Sequence, residues 1–214
     1  MLTLDNQSMK IKVAILTTSF MFLSLTTAAA APIYTFPITG CSVTYSKYHH
    51  DYPASDIFAK KGCAFVAPIA GVIDEVNTVD KWRGKTNLGA DRGGLSISLI
   101  GDDGNRYYGS HLSKIEANII PGLRVATGEK LGEVGATGSA KGTSPHLHFG
   151  ISYPTEKGIW WIRRGVGLEK GKTSPWKYLD AWKAGKDLSP AKEVEAKRLK
   201  TGDVPPEPVN EKRK

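Results

Sequence analysis

Two of the five histidines stand two apart in Pro145-His146-Leu147-His148-Phe149-Gly150. Alternate residues of a β-strand share a face, so both imidazoles project the same way while Leu147 and Phe149 point to the opposite, buried face. A lone histidine is usually structural, whereas two on one strand face can hold a metal or exchange protons. A second cluster, Tyr48-His49-His50-Asp51-Tyr52-Pro53-Ala54-Ser55-Asp56-Ile57, adds two more histidines and two carboxylates, and both side-chain types are zinc ligands. Its bland reading is a solvated loop with Asp51 in a turn. The fifth histidine, His111, ends Tyr107-Tyr108-Gly109-Ser110 and carries little weight alone. No serine or cysteine nucleophile competes, because Ser110 is only a sequence neighbour of His111.

These residues need a frame, and the chain between Pro32 and about Pro154 reads as β-rich. Short apolar runs at Ala64–Ala67 and Val72–Val76 flank Gly71, and Leu95, Ile97 and Leu99 alternate with Ser96 and Ser98. That alternation marks a half-buried strand. Gly101-Asp102-Asp103-Gly104 supplies a hairpin turn, after which Arg106–Ser110 returns as the partner. Closely spaced turns follow at Val125–Gly132 and Val134–Gly138. From Trp160 to Gly185 the chain carries Trp160, Trp161, Trp176 and Trp182; Ser174 can cap a helix that starts at Pro175 and stops at Gly185. Its apolar face is expected to pack on the sheet. From Lys186 onward the chain is rich in Lys, Glu and Pro, with too little apolar content to fold alone, and disorder is the expectation.

The ends and the charge narrow the setting. Lys10 and Lys12 precede an apolar run from Val13 to Leu25 and then Ala28–Ala31, the order of a secretory signal peptide. Cleavage is expected after Ala29 or Ala31, and Met9 is an alternative start. The apolar run falls short of the roughly 20 residues that span a bilayer. Export makes Cys41 and Cys63, the only two cysteines, a disulfide pair. The net charge of +8 hardly changes when two lysines and one aspartate leave with the leader. In an exported protein that excess suits anionic wall polymers better than nucleic acid, for which no recognition motif is present.

The order of a His-containing segment with downstream Asp56, then Tyr-Gly-Ser-His-Leu-Ser, then Gly-rich turns, then His-Leu-His-Phe resembles the lysostaphin-type zinc metallopeptidases of bacterial cell walls. The resemblance runs from about Cys41 to Ser152 and includes Gly62–Pro68, Gly71-Val72-Ile73 and Val134–Ser139. It implies a mainly β fold, a two-layer antiparallel β-sheet sandwich with long loops around a zinc groove, to which the residues beyond it add the expected short C-terminal helix and disordered tail. It also implies His50, Asp56 and His148 as ligands of one zinc ion, with His49 the alternative to His50, and His111 and His146 as the catalytic pair. The chain departs from the commoner pattern in the wider spacing of His50 and Asp56, and in Gly150 where an acidic residue often stands.

The expected organisation is a leader over 1–31, a peptidase domain over 32–158, a Trp-rich extension over 159–185 and a basic tail over 186–214. The expected function is a secreted, monomeric zinc endopeptidase cutting peptide bonds in peptidoglycan stems or cross-bridges, with no nucleic-acid partner and no membrane anchor once the leader is gone. A catalytically silent wall-binding or hydrolase-activating protein of the same fold is the alternative. The Gly122–Gly138 turns are also similar to biotinyl or lipoyl carrier domains and to sugar-phosphotransferase domains, but the Lys after Met that a carrier needs is missing, and the leader argues against both.

Overall fold

Nine strands and two helices make up the described part of the chain, residues 34–49, 53–154 and 175–201 of a computed structural model. The strands are β1 (Ile38–Thr39), β2 (Ser55–Phe58), β3 (Ala64–Val66), β4 (Gly71–Asn77), β5 (Leu95–Gly101), β6 (Arg106–Ile115), β7 (Arg124–Val125), β8 (Lys130–Val134) and β9 (His146–Ser152). The helices are α1 (Trp176–Lys183) and α2 (Ala191–Thr201). The expected leader, Trp160, Trp161, Ser174 and the last residues of the basic tail lie outside the described residues. Among the described residues no helix is long and apolar enough to cross a membrane.

Every strand pairing is antiparallel, in keeping with the mainly β expectation, and the strands join into one network in the order β1-β3-β8-β6-β5-β4-β7, with β9 on β6 and β2 on β9. The predicted hairpin forms between β5 and β6, with Ile100 opposite Arg106. Ser98, expected on the open face of β5, is buried and donates to Asp74, which also pairs with Arg106. A polar layer therefore covers that face.

β6 is the hinge of the architecture. One of its edges pairs with β5, while the other pairs with β9 as far as Ser110 opposite His148 and then changes partner to β8 from Leu112 opposite Val134. The sheet forks at His111, which takes a left-handed φ of 63°. Just before the fork, a Cβ on Gly109 would stand 2.5 Å from the Phe65 ring, so only glycine lets Phe65 pack this close to β6.

The core gathers inward residues from all layers, including Ile57, Phe65, Leu99, Leu112, Leu131, Leu147 and Phe149. Helix α1 adds Leu179 and Trp182, each contributing about 1.5–3 kcal/mol by leaving water. Pro175 stands at its N-cap, and Gly185, with φ 68°, lets the chain turn away beyond its end.

The expectation of disorder from Lys186 onward is corrected over Ala191–Thr201, which form α2. Its Ala, Lys, Glu and Leu are strong helix formers. Its contacts come from elsewhere in the chain: Val194 is buried in the core, and Tyr178 donates a 2.6 Å hydrogen bond to Glu193. The C-terminal region therefore holds two helices rather than one. Cys41 and Cys63 form the expected disulfide, with Cα atoms 6.0 Å apart.

Candidate metal and catalytic centre

The centre begins with a cross-strand register. β2 pairs with β9 so that Asp56 faces His148 and Phe58 faces His146, while Ile57 and Leu147 meet on the buried side. Residues directly opposite on an antiparallel pair share a face. The Asp56 carboxylate is thereby set against His148 Nδ1 at 2.8 Å, although 92 residues separate them in sequence. The alternation read from Pro145–Gly150 is present, since Leu147 and Phe149 are fully buried in the core and both imidazoles gather on the other face.

His49 arrives from a different direction, at the end of the segment leading out of β1. Its Nε2 stands 3.7 Å from Asp56 Oδ1, and its ring centroid lies 5.1 Å from that of His148. His50 lies outside the described residues. One donor atom each from His49, Asp56 and His148 fall within 4.8 Å of one another, at half-buried or buried positions. Two imidazole nitrogens and one carboxylate oxygen match the donor set of a three-ligand catalytic zinc site, whose ligand atoms lie about 2.0–2.2 Å from the ion. The 3.7 Å between His49 and Asp56 suits two donors on one such ion. The residues present fit a zinc ion.

His111 and His146 flank this group, with ring centroids 4.9 Å apart. Regular alternation would turn His111 away from the face shared by Ser110 and His148. Its left-handed φ breaks that alternation, and its ring comes within 5.8 Å of the His148 ring. Holding a non-glycine residue there costs about 1–2 kcal/mol. Both flanking rings are oriented through Nδ1, His111 by the Thr137 carbonyl at 2.9 Å and His146 by the Ser144 carbonyl at 2.8 Å. A carbonyl only accepts, so in each ring Nδ1 carries a proton and donates this bond, which leaves Nε2 for other partners.

The electrostatics follow from this crowding. Burial pushes the His111 imidazole down to about 3, and the neighbouring His148 and His146 add to the effect. Burial alone would raise the Asp56 carboxyl, but its hydrogen bond with His148 and the charges of His148, His49 and His146 outweigh it and hold the group well below the usual carboxylate range. The pocket thus keeps one carboxylate charged and at least one imidazole neutral.

Other residues support the centre. Thr137 fixes His111 through its carbonyl, and its hydroxyl donates to the Leu112 carbonyl while accepting from Leu95 N–H. Asp80 accepts from Gly138 N–H and pairs with Lys141 at 2.8 Å, tying the loop before β5 to the turn at Gly138–Ala140. Gly138 must be glycine here, because a Cβ would meet the Arg92 carbonyl at 2.1 Å and its φ is 62°. In the sequence Thr137 and Gly138 stand out only as part of a Gly-rich run. Phe58, opposite His146 with ring centroids 5.2 Å apart, carries no signal in the sequence; a large apolar residue left 40% exposed beside a histidine is its signal in the structure.

A candidate glycyl-glycine endopeptidase lytM from Ruminococcus gnavus superposes with a TM-score of 0.50 at 22% identity, over 72% of this chain and 62% of that one, and shares the fold. The catalytic domain of the antimicrobial peptidase lysostaphin from Staphylococcus simulans is 26% identical with a TM-score of 0.43, over 66% of this chain and 92% of that one. A candidate M23 peptidase from Pseudomonas aeruginosa is 26% identical with a TM-score of 0.45, over 58% of this chain and 47% of that one. The chain thus spans about half the length of the Pseudomonas protein and less than two thirds of the Ruminococcus one. No curated protein sequence matches it significantly. The sequence model of peptidase family M23 matches residues 50–159, just over half of the chain and the stretch that carries Asp56, His111, His146 and His148; the chain belongs to peptidase family M23.

Proposed function

We propose that this protein is a zinc-dependent endopeptidase that hydrolyses peptide bonds in the stems or cross-bridges of peptidoglycan, acting as a monomer outside the cytoplasmic membrane after loss of a leader. The observation that carries the reading is the facing of Asp56 and His148 across β2 and β9, with His49 closing a three-donor group and two further histidines beside it. In this reading His49, Asp56 and His148 hold one zinc ion, with His50 the alternative to His49. Residues 32–158 form the peptidase domain in the mature chain.

When bound, zinc supplies Lewis-acid polarisation of the scissile carbonyl and lowers the pKa of a water molecule to about 7. The chain's own residues do the rest. Asp56 and His148 hold each other in register across the strands, so neither is free to rotate away from the face on which the substrate sits. His111 and His146, each anchored at Nδ1, present Nε2 as a proton acceptor. One of them takes the proton of the attacking water on Nε2, and the imidazolium so formed stabilises the developing oxyanion or hands that proton on to the leaving amine. The two share these roles.

Zinc analysis of the purified mature chain, together with mass spectrometry of fragments released from defined muropeptides, tests this reading. About one zinc per chain and soluble peptide fragments are expected, with both lost in His148→Ala. A chain that binds wall without zinc and releases nothing would instead favour the non-enzymatic alternative. Zinc titration of His49→Ala beside His50→Ala separates the two candidate ligands.

A further inference from the structure

The family match begins at residue 50, so the segment before it and the two C-terminal helices both lie outside the matched span. They pack on each other. Tyr34 stacks on Trp182 with ring centroids 5.2 Å apart, its N–H donates to Asp187, and its hydroxyl, whose proton goes to Asp103, accepts from Ser189. Trp182 in turn meets Phe149, the buried residue next to His148 on β9. Helix α1 therefore lies against the back of the histidine strand.

From Gly40 to Tyr48 the chain is an arm at the surface, and it ends in the buried His49. Its near part is secured by covalent and backbone links: the disulfide at Cys41, then two hydrogen bonds between Thr44 and Phe58 of 3.1 and 2.8 Å. Beyond Thr44 the Tyr45 ring packs on Phe36, with ring centroids 5.7 Å apart, and α1 adds polar and cation–π contacts. Tyr45 donates a 2.6 Å hydrogen bond to Asp180, Lys47 stands 4.2 Å over the Trp176 ring, and Lys183 lies 5.5 Å from the Tyr45 ring. A hydrogen bond onto a carboxylate is short and roughly twice as strong as a neutral one. Burial, reinforced by Asp180, pushes the Tyr45 phenol well above its ordinary range, so it remains a donor at any working pH.

We infer that helix α1 is a positioning element of the metal centre, with Asp180 and Trp176 fixing the arm that delivers His49 through Tyr45 and Lys47. The inference rests on the zinc-site reading above. Residues that orient a ligand from behind typically change metal affinity about 10–100-fold when altered. Asp180 and Trp176 act one step further out, so the lower end of that range applies.

The test is zinc affinity of the full mature chain, measured by competition with a chromogenic chelator, alongside amide exchange over residues 43–49. Asp180→Ala and Tyr45→Phe are each expected to weaken zinc binding about tenfold and to speed exchange in the arm, and the double variant is expected to be no weaker than the worse single one. Asp180→Asn, which keeps an acceptor for Tyr45, restores most of the affinity. Tyr178→Phe, which breaks the α1 contact with Glu193 but touches no arm residue, leaves affinity unchanged. Zinc affinity in Asp180→Ala within twofold of the parent, with or without faster exchange, overturns the positioning role. A parent chain that binds no zinc overturns the metal-site reading instead, so the two failures are told apart.

Discussion

The two sides of the proposed metal centre are held by different physics. Asp56, His146 and His148 sit on paired strands, where each position is set by a ladder of backbone hydrogen bonds continuing into β6. His49 sits at the end of an arm secured by one disulfide, one two-bond bridge, the packing of Tyr45 on Phe36 and side-chain contacts from α1. A ladder distributes its load over many bonds, each worth about 1 kcal/mol net, so it tolerates the loss of any side chain outside the core. An arm concentrates its load on a few groups. The strand side should therefore respond to mutation only at the functional side chains themselves, and the arm side also at its anchors.

The largest effects separate ligands from proton-transfer residues within the strand side. His148→Ala and Asp56→Ala should each abolish hydrolysis and weaken zinc binding by more than about 100-fold, beyond what orienting residues cost. His146→Ala should lower kcat by about 10²–10⁴-fold, the usual worth of a positioned acid or base. Its zinc content should be unchanged, as measured on the purified variant. A His146→Ala chain that loses its zinc would place His146 among the ligands and redraw the centre.

The disulfide tests the arm. Breaking it as Cys41→Ser/Cys63→Ser should cost about 3 kcal/mol in urea unfolding, the loop-entropy value for a span of this length. Because Cys41 is the near anchor of the arm, zinc affinity should fall as well, while the β2–β9 pairing keeps its slow amide exchange. Equal loosening of β9 and the arm would erase the distinction between the two sides.

What was legible in the sequence follows the same division. The β5–β6 hairpin is written in Gly101–Gly104, and the shared face of His146 and His148 in their spacing, because both are local consequences of backbone geometry. The pairing of Asp56 with His148 is not local, and the resemblance alone brought those residues together. The left-handed turn at His111 leaves no trace in residue type: Tyr-Gly-Ser-His-Leu-Ser reads as strand, and only the change of partner from β9 to β8 shows why alternation breaks there. Thr137 and Ser144 act through carbonyls, which every residue possesses. Helix α2 looked too polar to fold because its support, Tyr178 and the core around Val194, comes from elsewhere in the chain.

The smallest expected effect is at Asp80, and it belongs to the strand side. Its carboxylate ties the loop before β5 to Gly138, next to the residue whose carbonyl orients His111. Burial would raise this carboxyl, but the Lys141 contact and the N–H groups of Gly138 and Trp82 outweigh it and hold the group below its ordinary value. Asp80→Asn keeps the shape and removes the charge, so it should cost about 1 kcal/mol, the scale of a partly exposed ion pair. Above roughly pH 5 the carboxylate is ionised in both folded and unfolded chains, and the stabilisation is fully present. As pH falls below that value the unfolded chain takes up its proton first, and stability declines until the folded carboxyl protonates too. Urea midpoints of parent and Asp80→Asn should therefore differ at pH 6 and converge in more acid solution. Zinc affinity at pH 7 should be the same in both, because the ladder, and not this contact, places Asp56 and His148. A variant that lost zinc here would show that the strand side also depends on single side-chain anchors, and would remove the contrast with the arm.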